Sequence, residues 1–402
     1  MKLVPTRPVT IHSTREGQRW FPFVSRLPDG SLMMHLQCGY DANFAPTKRW
    51  RSFYEGRDWH QESENVPRHA HGFSFPDGTL FEIDQYGFHD PNSPGTFAYF
   101  GAWSTPGVPG SPVERATVRI HSPSIAPTLL NDSFRHAYPH FPWWPLINEL
   151  YGENVKGDDV RLGGPVITDM AQVGDKLLAI GYRLTHGAGN RHSVFCYQSQ
   201  DKGRTWNEAA LVARGSEATV EGFNEATLTV LRDGRLYAVL RSGEEIYHAW
   251  SADGGLAWTE PALLRLSDED FPVRRVWPRV ASLADGTLVL AFGRPGKHLV
   301  FDPTGTGENW QGRLDLHAWE LDTQTLMGVP EEARLRGNTT TACVRYWDSG
   351  DYLSVTPCGP REVLVTYDVQ NFVENWNADP VAGVRMLRVK LEPSRESNPA
   401  GK

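Results

Sequence analysis

Residues 199–206 read SQDKGRTW and residues 251–258 read SADGGLAW. Both fit S-x-D-x-G-x-x-W, and the second lacks only the threonine that the first carries at Thr205. Short Asp and Ser side chains bond the backbone of tight turns, and glycine admits a positive φ. An indole fills the gap between strands. The octet therefore reads as a staple for a hairpin. Degenerate copies at 52–59 and 303–310 keep the glycine and the tryptophan. Trp206, Trp258 and Trp310 follow one another at intervals of 52 residues.

Upstream of most staples stands a second repeated unit, an apolar strand, a turn and another apolar strand. It reads FPFVSRLPDGSLMMHLQ from Phe21, HGFSFPDGTLFEIDQ from His71 and VITDMAQVGDKLLAIGYR from Val166. It returns as EATLTVLRDGRLYAVLR from Glu225, PRVASLADGTLVLAFGR from Pro278 and, more weakly, TACVRYWDSGDYLSVT from Thr341. Asp-Gly turns favour tight hairpins, and the flanking apolar runs fit half-buried or buried strands. A period near 50 with about four short strands per period is the signature of a β-propeller. The turn aspartates Asp29, Asp77, Asp175, Asp233, Asp285 and Asp348 predict an all-β, six-bladed propeller over residues 1–392, with a polar, disordered tail at 393–402. The interval from Asp77 to Asp175 is nearly double the others. Residues 121–163, rich in Pro, His and aromatics, fill it as an insertion, a lid over the site in one reading. A seventh, irregular blade is the alternative.

The Ser/Asp/Gly/Trp octet resembles the Asp-box, or BNR repeat, of the sialidase superfamily, and the likeness runs over about residues 15 to 392. It implies a propeller whose Asp-boxes lie away from the catalytic face. It also implies a carbohydrate-active enzyme. Glu225 and Arg241 look like the family's glutamate and one arginine of its carboxylate-gripping triad. Two departures set the chain apart from a standard sialidase. Arg19-Trp-Phe-Pro22 replaces the family's Arg-Ile-Pro. The last-blade tyrosine segment is replaced by GNTTTACV at 337–344, with Thr340 near the tyrosine position.

Composition excludes other classes. Forty Lys+Arg against 48 Asp+Glu give a net charge of −8, so neither a nucleic acid nor a membrane surface is the expected partner. Nothing approaches the roughly 20 apolar residues of a bilayer span. Four cysteines, none in a CxxC pair, make neither a disulfide framework nor a cysteine zinc site. MKLVPTRPVT has no apolar h-region, and the expected location is cytoplasmic. His136, His140 and Asp132 have a spacing that permits a metal, yet no metal and no other cofactor is expected. The expected partner is an oligosaccharide or glycan substrate.

Equivalent positions of successive blades converge on the channel mouth. Eight residues before the turn aspartate stand Phe21, His69, Glu225 and Trp277, and six before it Phe23, His71, Thr227 and Arg279. Arg183, Arg241 and Arg294 each end an apolar strand in three consecutive blades. Convergent guanidinium groups grip a carboxylate by forked hydrogen bonds, while separate strand-end arginines are merely solvated. In the first reading, Glu225 and Asp41 manage protons in a hydrolase that removes a terminal, acidic sugar. Arg183, Arg241, Arg294, Arg279, His71 and Arg19 then bind the substrate. In the second, His69 and His89 are the acid and base of a lyase acting on a uronate, since a neutral His moves protons near pH 7. That arrangement resembles uronate lyases on related propellers. A non-catalytic glycan-binding propeller is the third, because a fold does not fix a function.

Overall fold

The computed structural model describes residues 1–14, 19–38, 47–62, 71–85, 87–106, 112–125, 127–129, 144–153, 155, 159–185, 191–216, 219, 221–243, 245–266, 276–293, 297–316, 352–370 and 382–393. Strands dominate them. Three four-stranded antiparallel sheets run in sequence order. One comprises Arg19–Arg26, Leu32–Cys38, Thr47–Ser52 and His60–Gln61. Another comprises Asn224–Val230, Leu236–Ser242, Glu245–Ser251 and Ala262–Leu263. The third comprises Val276–Ser282, Leu288–Gly293, Lys297–Asp302 and Gln311–Asp315.

Two more blade units share one larger sheet. Their outer strands, Glu114–His121 and Thr205–Ala213, pair in parallel with Arg119 opposite Thr205. The last sheet holds Leu353–Gly359, Glu362–Gln370 and Ala382–Glu392, and its edge takes the strands Lys2–Pro5 and Val9–Thr14 from the other end of the chain. Covering that edge joins the two ends of the chain and removes a row of unpaired backbone groups. The inner strands Arg19–Arg26, His71–Ser74, Val166–Val173, Asn224–Val230, Val276–Ser282 and Leu353–Gly359 pack each against the next, and the last against the first. The architecture is that of an all-β propeller.

One turn departs from the sequence reading. The sixth turn was expected at Asp348, but the described hairpin turns between Gly359 and Glu362. Gly359-Pro360-Arg361 supplies the break, because proline fixes φ for a turn and cannot donate to a ladder. The stretch after Asp348 is therefore the inner strand of its blade rather than the second strand. The segment 121–163 holds a helix, Trp144–Tyr151, whose Leu146, Ile147 and Leu150 pack on Phe88 and Ala98 of the second blade unit. Its strand Arg161–Gly163 pairs with Gly87–His89. Residues 130–143 of that segment, with the candidate metal group, lie outside the described residues, as does the tail from 394.

The staples form as their chemistry requires. Ser199 Oγ donates to Asp201 Oδ1 at 2.8 Å and accepts from the Gly203 N–H at 2.9 Å. Asp201 also accepts the Thr205 N–H at 2.9 Å and the Thr205 hydroxyl at 2.6 Å, and Trp206 Nε1 donates to the Gly203 carbonyl at 2.9 Å. Ser251, Asp253, Gly255, Ala257 and Trp258 repeat the set without the hydroxyl bond. In the degenerate copies other aspartates serve. Asp302 accepts the Gly307 N–H at 2.7 Å, and Asp58 accepts from Ser52 and the Tyr54 N–H. The staple glycines lie against the preceding blade: at φ +87° a Cβ on Gly203 would stand 2.5 Å from the Phe81 ring.

Candidate functional site

Antiparallel order fixes which end carries chemistry. The start of each inner strand and the end of the second strand share one end of the blade. The first hairpin turn and the staple between strands three and four share the other. Glu225 starts an inner strand, and Arg183 and Arg241 stand at the ends of second strands. They are therefore opposite the staples.

At that end the inner strands carry bulges. Pairing register shifts between Trp20 and Phe23, Ile167 and Asp169, Asn224 and Thr227, and Val276 and Arg279. Phe21, Glu225 and Trp277 sit inside these bulges with φ of 51°, 40° and 44°. Such values are strained for residues with a Cβ, and bulges re-aim side chains. Each of the three stands five residues before the pair that closes its hairpin, Arg26–Leu32, Val230–Leu236 and Ser282–Leu288. By the same count from Pro357–Val363, Tyr352 is their equivalent in the last blade. The rings of Phe21, Trp277 and Tyr352 meet: Phe21–Tyr352 centroids are 3.8 Å apart, Phe21–Trp277 5.2 Å and Trp277–Tyr352 5.8 Å.

Glu225 is buried beside this aromatic group. Its Oε2 accepts from Arg241 Nη1 at 2.9 Å and from the Trp277 N–H at 2.9 Å. Among the described residues nothing bonds its Oε1, so that oxygen is the one available to a ligand. Arg241 is held twice more, by Glu221 Oε1 at 3.0 Å and by its own Nε–H on the Gly243 carbonyl at 2.9 Å. Burial opposes the charge on Arg241. Glu225, then Glu221 and Tyr352, outweigh it and raise its pKa. The phenol of Tyr352 therefore lies within electrostatic reach of the pair.

Arg279 is almost wholly buried. Its Nη1 donates to the Thr168 carbonyl at 2.8 Å and lies 3.5 Å from Asp169 Oδ2, and its guanidinium faces the rings of Phe23 at 4.8 Å and Trp277 at 4.9 Å. Burial lowers its pKa against the opposing pull of Asp169 and Glu225. Asp169 Oδ2 further accepts the Thr227 hydroxyl at 2.6 Å and the Leu228 N–H at 3.0 Å.

The other candidates stand apart or outside view. Arg183 is half-buried and makes no ion pair among the described residues; it lies near Tyr99, whose pKa burial raises against its pull, and near His192, whose pKa burial and, less strongly, Arg183 lower. His89 is in the second blade unit, its carbonyl accepting the Tyr151 hydroxyl and its ring 5.8 Å from Phe97. Burial and then Arg161 lower its pKa, against Asp90. No described contact joins His89 to Glu225. Asp41, His69 and Arg294 lie outside the described residues, as do the side chains of Arg19 and His71.

Sequence reading missed Tyr352, Asp169 and Glu221. Tyr352 was hidden by the misplaced last turn, and counting back from Gly359-Pro360 finds it. Asp169 is six residues before Asp175, the position already compared in four other blades. Glu221 carries no repeat signal, since only the fold of residues 221–225 brings it to Arg241.

The comparisons agree with this architecture. Residues 151–327 match the BNR repeat-like domain family. None of the curated proteins compared matches the chain. Among solved structures, a protein of unknown function from Dyadobacter fermentans superposes with a TM-score of 0.64 at 16% identity, over 97% of this chain and 99% of that one. An alpha-L-arabinanase of Penicillium chrysogenum, complexed with arabinobiose, gives 0.56 at 12%, over 95% and 98%. The Hadza microbial sialidase Hz136 gives 0.56 at 12%, over 92% and 66%. Residues 151–327 thus resemble BNR repeats, and the solved structures share the propeller fold of the chain. Glycoside hydrolases are prominent among the proteins that share its fold.

Proposed function

We propose that this chain is an exo-acting glycoside hydrolase that removes a terminal, carboxylate-bearing sugar. The observation that carries the reading is the Glu225 carboxylate. It is buried, set in a left-handed backbone, clamped through Oε2 by Arg241 and the Trp277 N–H, and unbonded at Oε1 among the described residues. The Trp277 that holds it packs with the rings of Phe21 and Tyr352. Such a carboxylate can take a proton from an attacking hydroxyl as the glycosidic C–O bond breaks. Tyr352, at the equivalent strand position, supplies a phenol whose oxygen attacks the anomeric carbon while Glu225 takes its proton. Asp41 delivers a proton to the departing oxygen, and water then releases the sugar. Arg183 and Arg294, flanking the Arg241 blade, hold the sugar carboxylate.

The test is a panel of sialosides, uronosides and arabino-oligosaccharides read by mass spectrometry. Products carrying one added water, from acidic termini only and lost in Glu225→Gln, are expected. Unsaturated products without added water would replace hydrolysis by elimination. Turnover of arabino-oligosaccharides alone would remove the acidic substrate from the proposal.

A further inference from the structure

Arg279 ties together parts of the ring that are distant in sequence. It belongs to the inner strand Val276–Ser282, yet its guanidinium bonds the carbonyl of Thr168 and faces Asp169 on the strand Val166–Val173. The strand Asn224–Val230, which carries Glu225, comes between those two in the ring. Phe23, from the first inner strand, covers another side of the guanidinium. Thr227 links the same strands by a second route, donating to Asp169 and accepting the Val280 N–H at 3.4 Å. A further neighbour is Trp277, whose ring lies on the guanidinium and whose N–H holds Glu225.

We infer that Arg279, anchored by Asp169 and the Thr168 carbonyl, is a positioning residue: it supports Trp277 in its strained backbone so that the Trp277 N–H fixes the Glu225 carboxylate. The inference rests on the reading of Glu225 given above. Three features support it. Trp277 has a φ of 44°, which persists only where surroundings over-determine it. A cation on an indole face supplies such a contact, strongest where water is excluded. Arg279 has no exposed face to offer a substrate, being 4% exposed. Asp169 does the same from the other side, because its Oδ2 also receives the Leu228 N–H, three residues beyond Glu225.

The test compares Arg279→Met, Arg279→Lys and Asp169→Asn with the unaltered protein. Crystal structures of the variants provide a readout that needs no substrate. In Arg279→Met, Trp277 should leave the left-handed region and its nitrogen should move beyond hydrogen-bond distance of Glu225 Oε2. On the glycan turned over, kcat should fall about a hundredfold, the scale of a misplaced catalytic group, with KM unchanged. The acidic limb of the pH–rate profile should shift as well, and Arg279→Lys should recover part of the loss. Should Arg279→Met fail to fold, Asp169→Asn keeps the Thr227 and Leu228 acceptor and reads the same quantities. Overturning results are an unmoved Trp277–Glu225 bond, or a rise in KM with kcat intact, which would put Arg279 on the substrate. Full turnover by Glu225→Gln would instead defeat the functional reading and leave the structural arm standing.

Discussion

The two ends of the propeller repeat different things. At the staple end the hydrogen bonds repeat while the residues drift. Asp201 and Asp253 stand at matching places in the octet, but Asp302 and Asp58 reach the same turn backbone from other positions. At the site end the backbone repeats while the side chains diverge. Phe21, Glu225 and Trp277 share a bulge and a positive φ, and only one of them is an acid. A staple must satisfy the same buried donors in every blade, so its bonds are constrained and its sequence is not. A site is asymmetric because its substrate is, so a symmetric scaffold serves it by aiming unlike side chains at one point. Changes at the site end should therefore alter turnover, and changes at the staple end should alter stability.

The largest effect separating them is expected from Glu225→Gln. It keeps the acceptor for the Trp277 N–H and should lower kcat roughly a thousandfold, within the range for a positioned acid–base group. Thermal denaturation should show the fold retained. The converse is Trp206→Ala. Trp206 is packed near Phe81 and Trp103 with 2% exposure, so truncation should cost about 3–5 kcal/mol in urea unfolding. Turnover per folded molecule should not change. A large loss of kcat in that variant would break the division between the ends.

A third effect sharpens it through pH. His248 accepts from or donates to the Tyr237 hydroxyl at 3.0 Å, and that hydroxyl also receives Trp310 Nε1 of the third octet. Burial pushes the His248 imidazole down from 6.5 to about 4. Below pH 6.5 the unfolded chain binds a proton that the folded chain refuses. Stability should fall as pH drops from 6.5 to 4, by about 3 kcal/mol from this group. Denaturant unfolding at the two pH values checks this, and His248→Gln should lose that part of the slope. The smallest effect is a gain. Ala257→Thr would restore to the second octet the hydroxyl bond that Thr205 makes to Asp201, and should add about 0.5–1 kcal/mol without touching turnover.

Much of the fold was legible because its repeated turns have local causes. Asp-Gly turns and S-x-D-x-G octets act within a few residues, so Asp29, Asp233 and Asp285 marked real hairpins. The last blade was misread because its described turn, Gly359-Pro360-Arg361, uses other chemistry; Asp348 itself lies outside the described residues. The site was legible only in part. Glu225 and Arg241 stand 16 residues apart on paired strands, and the register places Arg241 opposite Asn224, next to Glu225. Arg279 looked from sequence like one more guanidinium at the channel mouth. The partners that bury it, Phe23 and Thr168, lie 256 and 111 residues away in the chain.

The sequence by itself determined the repeat, most of the strand pattern and the nomination of Glu225 and Arg241 as site residues. These rest on interactions between residues close along the chain or across one hairpin. The tertiary structure alone decided that Tyr352 joins Phe21 and Trp277, that Arg241 and the Trp277 N–H hold Glu225, and that Arg279 is enclosed. Those outcomes depend on closing the ring, which brings inner strands from both ends of the chain into contact, and no local preference encodes which side chains then meet.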